Sequence, residues 1–282
     1  MHYYIRLMRL DKPIGIFLLL WPTMWALYSA THGLPGFKLL SIFILGTILM
    51  RSAGCVANDI LDRKFDSFVT RTKLRPLANQ SVSVKNAFYL LITLLMGALI
   101  CVLFLNVKAF YFALIALFLA LTYPLTKRFF VMPQAYLGLS FGMGIPIAFS
   151  ANEVSLGLTT WLLFFANIFW AIAYDTLYAM TDKNDDLKIG IRSSAIWFGA
   201  YVKEAIMLSY TCMMGCLVWV GYLEKFTWPF YGFMGASLLF IGILYRRIKA
   251  LDPTACFDAF LSNNYLGGLV FLGVFFHYLS VN

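Results

Sequence analysis

The chain has 282 residues, 61% of them hydrophobic and only 12% charged, with a mean hydropathy of +0.79. A soluble domain carries roughly 25% charged residues, so this composition excludes a water-soluble globular protein. The net charge of +9 does not signal nucleic-acid binding, because the basic residues sit in short stretches between long apolar runs, where membrane topology already accounts for them.

Arg6, Arg9 and Lys12 precede the first apolar run, yet no small-residue cleavage site leads into a soluble domain. The N-terminus therefore does not read as a removable signal peptide. Stretches such as 18–27, 90–105 and 109–121 are apolar on every side, unlike the single stripe of a soluble helix. Runs of about 18 to 25 such residues have the length of a bilayer-spanning helix. In chain order the predicted spans are 13–30, 39–60, 86–105, 109–126, 133–150, 159–181, 202–223, 228–246 and 265–280. The expected fold is thus an all-α integral membrane protein, a nine-transmembrane-helix bundle with cytoplasmic cap loops, forming one domain over 1–282.

The second span carries an intramembrane arginine, Arg51, and runs into Asn58-Asp59-Ile60-Leu61-Asp62-Arg63-Lys64-Phe65-Asp66. The connection 61–85 that follows holds Arg71, Lys73 and Arg75. Lys127 and Arg128 close the fourth span. In the fifth, Gly138, Gly142 and Gly144 permit close helix approach. The sixth ends in Asp175-Thr176-Leu177-Tyr178-Ala179-Met180-Thr181-Asp182-Lys183-Asn184-Asp185-Asp186, with Lys188 and Arg192 beyond. The five cysteines form no CxxC pair and read as packed, reduced thiols. Only His2, His32 and His277 are present, and they are scattered, which argues against an imidazole metal site.

Nine spans with a cytoplasmic N-terminus place 18 Lys and Arg inside and 3 outside, with Arg51 within a span. An even count of spans scrambles that split, so the positive-inside rule supports nine.

Seven of the thirteen acidic residues fall in the two segments quoted above. On a helix, positions 59, 62 and 66 share one face, as do 175, 178, 182 and 186. Stacked like charges repel by a few tenths of a kcal/mol per exposed pair, and by more near low dielectric. Divalent cations offset that cost, and Mg²⁺ characteristically uses one or two carboxylates plus phosphate oxygens and water. Arg71, Lys73, Arg75, Lys183, Lys188 and Arg192 beside the acids suit a phosphate-bearing ligand. The plainer alternative is a solvated acidic helix end. That alternative gives no account of two such rows on the same side of one membrane protein.

Asn58-Asp59-x-x-Asp62-x-x-x-Asp66 resembles the NDxxDxxxD motif of the UbiA-type intramembrane aromatic prenyltransferases, and Asp175-x-x-Tyr178-x-x-x-Asp182-x-x-Asp185-Asp186 their second aspartate-rich motif. Met8-Arg9-Leu10-Asp11-Lys12-Pro13-Ile14-Gly15, Leu20-Trp21-Pro22-Thr23 and Arg51-Ser52-Ala53-Gly54-Cys55 resemble the branch acting on 4-hydroxybenzoate. So do Tyr123-Pro124-Leu125-Thr126-Lys127-Arg128, Pro133-Gln134 and Gly142-x-Gly144-Ile145-Pro146-Ile147-Ala148-Phe149. The resemblance implies helices around a central cavity open to lipid, in a bacterial inner membrane. It also implies Mg²⁺-dependent transfer of a prenyl group from a polyprenyl diphosphate to an aromatic acid, in ubiquinone biosynthesis ortho to the hydroxyl of 4-hydroxybenzoate.

On that footing Asn58, Asp62 and Asp66 are expected at one metal and Asp175, Asp182 and Asp186 at the other, with Asp59 and Asp185 as second choices. Asp62, Asp182 and Tyr178 carry the catalytic assignment. Lys127, Arg128, Lys183 and Arg71 are the expected diphosphate contacts; a positive-inside anchor is the alternative for the Lys127–Arg128 pair. Tyr123, Tyr174 and Tyr178 are candidates to shield an allyl cation, or are packing residues. Arg51 holds the acceptor carboxylate or pairs with a motif acid, and Arg9 is a lesser candidate for the same task. Sister enzymes using a dihydroxynaphthoate, homogentisate or haem are the near rivals. A transporter is the distant one, although carriers place their ionisable site near the midplane. The oligomeric state stays open.

Overall fold

The computed structural model describes residues 2–67, 72–126 and 128–281, and these are helical with no strand. The helices are α1 (His2–Leu7), α2 (Ile14–Ala30), α3 (Phe37–Asp66), α4 (Val84–Leu103), α5 (Val107–Thr126), α6 (Pro133–Gly142), α7 (Gly144–Ala151), α8 (Leu158–Ile189), α9 (Ser194–Trp197), α10 (Val202–Leu223), α11 (Trp228–Arg247) and α12 (Pro253–Val281). Among the described residues, seven are long and apolar enough to cross a membrane: α3, α4, α5, α8, α10, α11 and α12. Helix α2 is apolar but shorter, at 17 residues, and the expected fifth span is two helices, α6 and α7, broken at Met143. The chain is a multi-pass membrane protein, and the nine expected passages are compatible with it.

Three boundaries differ from expectation. Helix α8 continues through the second acid segment to Ile189 and stops at Gly190, whose left-handed φ of 71° ends it. Helix α12 begins at Pro253, a full three turns before 265, so Asp258 and Asn263, outside the expected span, are helical. The connection 182–201 contains α9 and a 3-10 turn, Gly199–Tyr201. In each case hydropathy falls at the membrane boundary while the helical backbone runs on.

Helix α8 is the axis of the larger half of the bundle: 72% of its apolar stretch is buried, against 17% for α5. Gly138 and Gly142 of α6 press directly on it. A Cβ at Gly138 would stand 2.8 Å from the Ile168 backbone, and one at Gly142 2.9 Å from the Phe164 ring. On its other side, Trp170 Nε1 and Tyr210 OH both donate to Asn263 Oδ1 at 2.9 Å, tying α8, α10 and α12 together where no water competes. Trp25 Nε1 donates to the Gly267 carbonyl at 3.1 Å, closing the first long helix on the last.

The buried side chains form two clusters. The larger fills the space among α2, α6, α7, α8, α10, α11 and α12. The smaller joins α1, α3, α4 and the compact turn 72–82 through Leu7, Val56, Ala57, Leu77 and Val82. The clusters are separate, and residues of α1 to α8 and α12 line one main cavity.

Candidate active site

This cavity has a volume of about 1040 Å³, above the 300–1,000 Å³ usual for small-ligand pockets. At one end it is polar, lined by Arg9, Asn58, Asp59, Arg75, Asp175 and Tyr178. Its depth is apolar, with Phe43, Gly46, Ala98, Leu105, Phe110 and Ile147 among the walls. A smaller hollow of about 100 Å³ adjoins the polar end, lined by Asp62, Asp66, Asp175, Asp182 and Asp186. Arg75, Tyr123, Asp175 and Tyr178 border both.

The two acid rows therefore face one another across a shared hollow. All four members of the second stripe, Asp175, Tyr178, Asp182 and Asp186, line it because α8 stays helical over that whole segment. The first stripe divides. Asp62 and Asp66 face the small hollow, whereas Asp59 and Asn58 border the main cavity.

Two arginines hold the first row in place. Arg9 Nη2 donates to both oxygens of Asp59 at 2.9 and 3.2 Å. Arg75 Nη1 donates to Asp59 Oδ1 at 3.1 Å and to Asp66 Oδ2 at 2.9 Å. Asp59 is 1% exposed, so its charge depends on these partners. Breaking a buried ion pair costs about 3–5 kcal/mol. Asp59→Ala is accordingly expected to lower the thermal midpoint in detergent by several degrees; an unchanged midpoint would count against a structural role for this carboxylate.

The remaining expected site residues are distributed as follows. Arg128 Nη2 stands 3.9 Å from Asp62 Oδ1 and donates to the Leu61 carbonyl at 3.3 Å. Lys183 borders neither hollow, because it follows Asp182 by one residue and leaves the helix on a different face. Asp185 likewise lies off both walls and pairs with the exposed Lys188 at 3.5 Å. Arg9 pairs with Asp59 and lines the polar end of the main cavity. Arg71 and Lys127 lie outside the described residues.

Seven residues deeper than Asn58, Arg51 has no carboxylate within ion-pair distance among the described residues, so it does not serve as the partner of a motif acid. Its Nη1 donates to Cys55 Sγ at 2.7 Å, its guanidinium carbon lies 5.6 Å from the centre of the Phe141 ring, and its Nε is buried without a hydrogen-bond partner. A half-buried guanidinium with no carboxylate in ion-pair distance beside an apolar cavity is costly. The Tyr174 hydroxyl is a second buried, unpartnered donor on the same cavity wall. Tyr123 lines the same cavity as Arg51, Tyr174, Asp175 and Tyr178. Tyr178 packs 4.8 Å from the Phe260 ring.

Sequence reasoning missed Phe257 and Phe260 of α12 on the cavity wall, since nothing in their local pattern separates them from packing residues. Arg75 was legible only as one basic residue among several in its loop.

Among the described residues, no three His, Cys, Asp or Glu converge closely enough to hold an ion by themselves. The set Asp175, Asp182 and Asp186 thus shares a hollow without forming a cage. Hard carboxylate oxygens on two facing helices fit Mg²⁺, which completes its shell with phosphate oxygens and water and seldom uses an all-protein cage.

The profile of the UbiA prenyltransferase family matches residues 19–276. The 4-hydroxybenzoate octaprenyltransferase of Methylobacillus flagellatus is 52% identical over 271 residues, covering 96% of this chain and 92% of that protein. The protein of the same name from Thiobacillus denitrificans is 50% identical over 277 residues, covering 98% and 94%. Among solved structures, the apo UbiA homolog from Aeropyrum pernix K1 has a TM-score of 0.79 at 22% identity, covering 90% of this chain and 95% of that one. A UbiA homolog from Archaeoglobus fulgidus bound to GPP and Mg²⁺ has a TM-score of 0.76 at 17% identity, covering 99% of both chains.

Proposed function

The chain belongs to the UbiA prenyltransferase family, and from that premise we propose that it transfers a polyprenyl group from a polyprenyl diphosphate to 4-hydroxybenzoate, ortho to the hydroxyl. This is the prenylation step of ubiquinone biosynthesis. The whole chain acts as one prenyltransferase domain in a bacterial inner membrane, its N-terminus cytoplasmic, consistent with 18 of 22 basic residues on that side. The observation that carries the reading is the shared hollow between the acid rows, adjoining an apolar cavity on whose wall Arg51 sits with no carboxylate in ion-pair distance among the described residues and a buried Nε without a hydrogen-bond partner.

Asp62 and Asp66 on one side and Asp175, Asp182 and Asp186 on the other would hold Mg²⁺, with Asn58 reaching it from the polar end of the main cavity. When bound, the metal neutralises diphosphate charge and makes it a competent leaving group. Arg128 at the rim and the loop cations Arg71 and Lys127 are placed by sequence to add fixed positive charge toward the same diphosphate. The allylic C–O bond breaks with its electron pair leaving on diphosphate. The ring carbon ortho to the hydroxyl then bonds the allylic carbon and loses its proton. Tyr123, Tyr174 and Tyr178 present aromatic surface at that point, excluding water and stabilising the cation. Arg51 holds the acceptor's carboxylate, which orients the ring.

The apolar tail lies along the depth of the cavity. Gly46 of α3 borders that depth, and a Cβ there would meet nothing within 4 Å. It lies twelve residues from Asn58, about 18 Å along the helix at 1.5 Å per residue. Gly46→Phe is expected to spare transfer from geranyl diphosphate and to abolish it from long polyprenyl diphosphates. Equal loss for short and long donors would place the tail elsewhere.

The direct test supplies purified protein with Mg²⁺, a polyprenyl diphosphate and equal amounts of 4-hydroxybenzoate, a dihydroxynaphthoate and homogentisate, with products identified by mass. Prenylated 4-hydroxybenzoate as the main product is expected. A different dominant product transfers the proposal to a sister activity, and no product at all removes it.

A further inference from the structure

Gly15 of α2 lies flat against the guanidinium of Arg51 of α3. A Cβ built on Gly15 would collide with Arg51 Nε and Nη2 and stand 2.8 Å from its guanidinium carbon. No backbone demand explains a glycine here. The residue is in the first turn of a helix and has no positive φ, a position where alanine is the better helix former. What glycine provides is room. Arg51 rests in a cradle of three walls: the bare face of Gly15, the Cys55 sulfur accepting from Nη1, and the Phe141 ring.

We infer that Gly15 is a positioning residue for the acceptor: its missing side chain sets where the Arg51 guanidinium lies, and through it where an aromatic carboxylate docks in the cavity. The inference rests on the reading of Arg51 given above. Any side chain at position 15 pushes the guanidinium off this seat. What yields is the end of a flexible side chain, so the helices keep their packing and the variant folds. The displaced guanidinium meets a carboxylate at a wrong distance and angle, while the diphosphate end of the site is untouched.

The test compares the full-length protein with Gly15→Ala, Cys55→Ala, Arg51→Ala and the double variant Gly15→Ala/Arg51→Ala, using 4-hydroxybenzoate and its uncharged analogue 4-hydroxybenzamide as acceptors. Gly15→Ala is expected to raise KM for 4-hydroxybenzoate about tenfold, the scale of one charge-assisted hydrogen bond. KM for the diphosphate and for the benzamide should not move. Cys55→Ala should shift KM in the same direction by less. In the Arg51→Ala background, Gly15→Ala should add nothing. A Gly15→Ala effect that persists without Arg51, or that moves both substrates together, overturns the inference and leaves Gly15 a packing residue. So does a wild-type acceptor KM in Gly15→Ala when Arg51→Ala is impaired. If Arg51→Ala itself leaves the acceptor KM unchanged, the reading of Arg51 fails and the inference falls with it.

Discussion

Asp62→Ala and Asp182→Ala are each expected to lower kcat about a thousandfold or more, on the scale of ~4 kcal/mol of lost leaving-group stabilisation. The two carboxylates belong to helices α3 and α8, far apart in sequence, and border one hollow of about 100 Å³. If both hold metal on the same diphosphate, they act as a unit. The double variant should then be scarcely worse than either single one, because removing either partner already disables the site.

The stability of these variants should move the other way. Asp62 and Asp182 share the hollow with three other carboxylates, and like charges so placed repel when no cation sits between them. Removing one is expected to leave the thermal midpoint unchanged or to raise it slightly, the usual exchange between activity and stability at a functional site. This contrasts with Asp59→Ala, in which two arginines lose a buried partner. Full turnover in Asp62→Ala or Asp182→Ala membranes supplied with Mg²⁺ would remove the metal assignment.

Arg51→Ala is expected to raise KM for 4-hydroxybenzoate about ten- to a hundredfold, since a hydrogen bond to a charged group contributes roughly 1.5–3 kcal/mol. KM for the diphosphate should hardly change. The reason is positional. Arg51 lies two helical turns deeper than the acid rows, on the cavity wall, with one hydrogen bond to a sulfur and a buried Nε lacking a partner. Arg51→Lys should restore charge without the planar fork and recover only part of the affinity. A larger effect on the diphosphate than on the acceptor would reverse the proposed arrangement and place Arg51 at the leaving group.

How much of this was legible in the chain follows from how local each signal is. The row 175, 178, 182, 186 was readable as a face because α8 is continuous helix, where spacing sets direction, whereas the row 59, 62, 66 divides between the two cavities. The passages were readable because apolar runs of that length have few other uses. The ends of α8 and α12 were not, because hydropathy reports the lipid boundary and not the last hydrogen bond. Asn263 looked like a loop residue; two donors from α8 and α10 make it a buried member of α12.

By itself, the sequence determined the helical, multi-pass membrane class and the acid face of α8, since each depends on residues within a few turns of one another. Only the tertiary structure decided which acids line the small hollow and which are held by Arg9 and Arg75. Arg9 lies 50 residues from Asp59, and Arg75 lies 16 residues from it. It likewise decided that Arg51 has a seat against Gly15 and no carboxylate beside it. Pairings of that range depend on how helices pack, and packing is settled by the shape of the whole bundle, which no local pattern records.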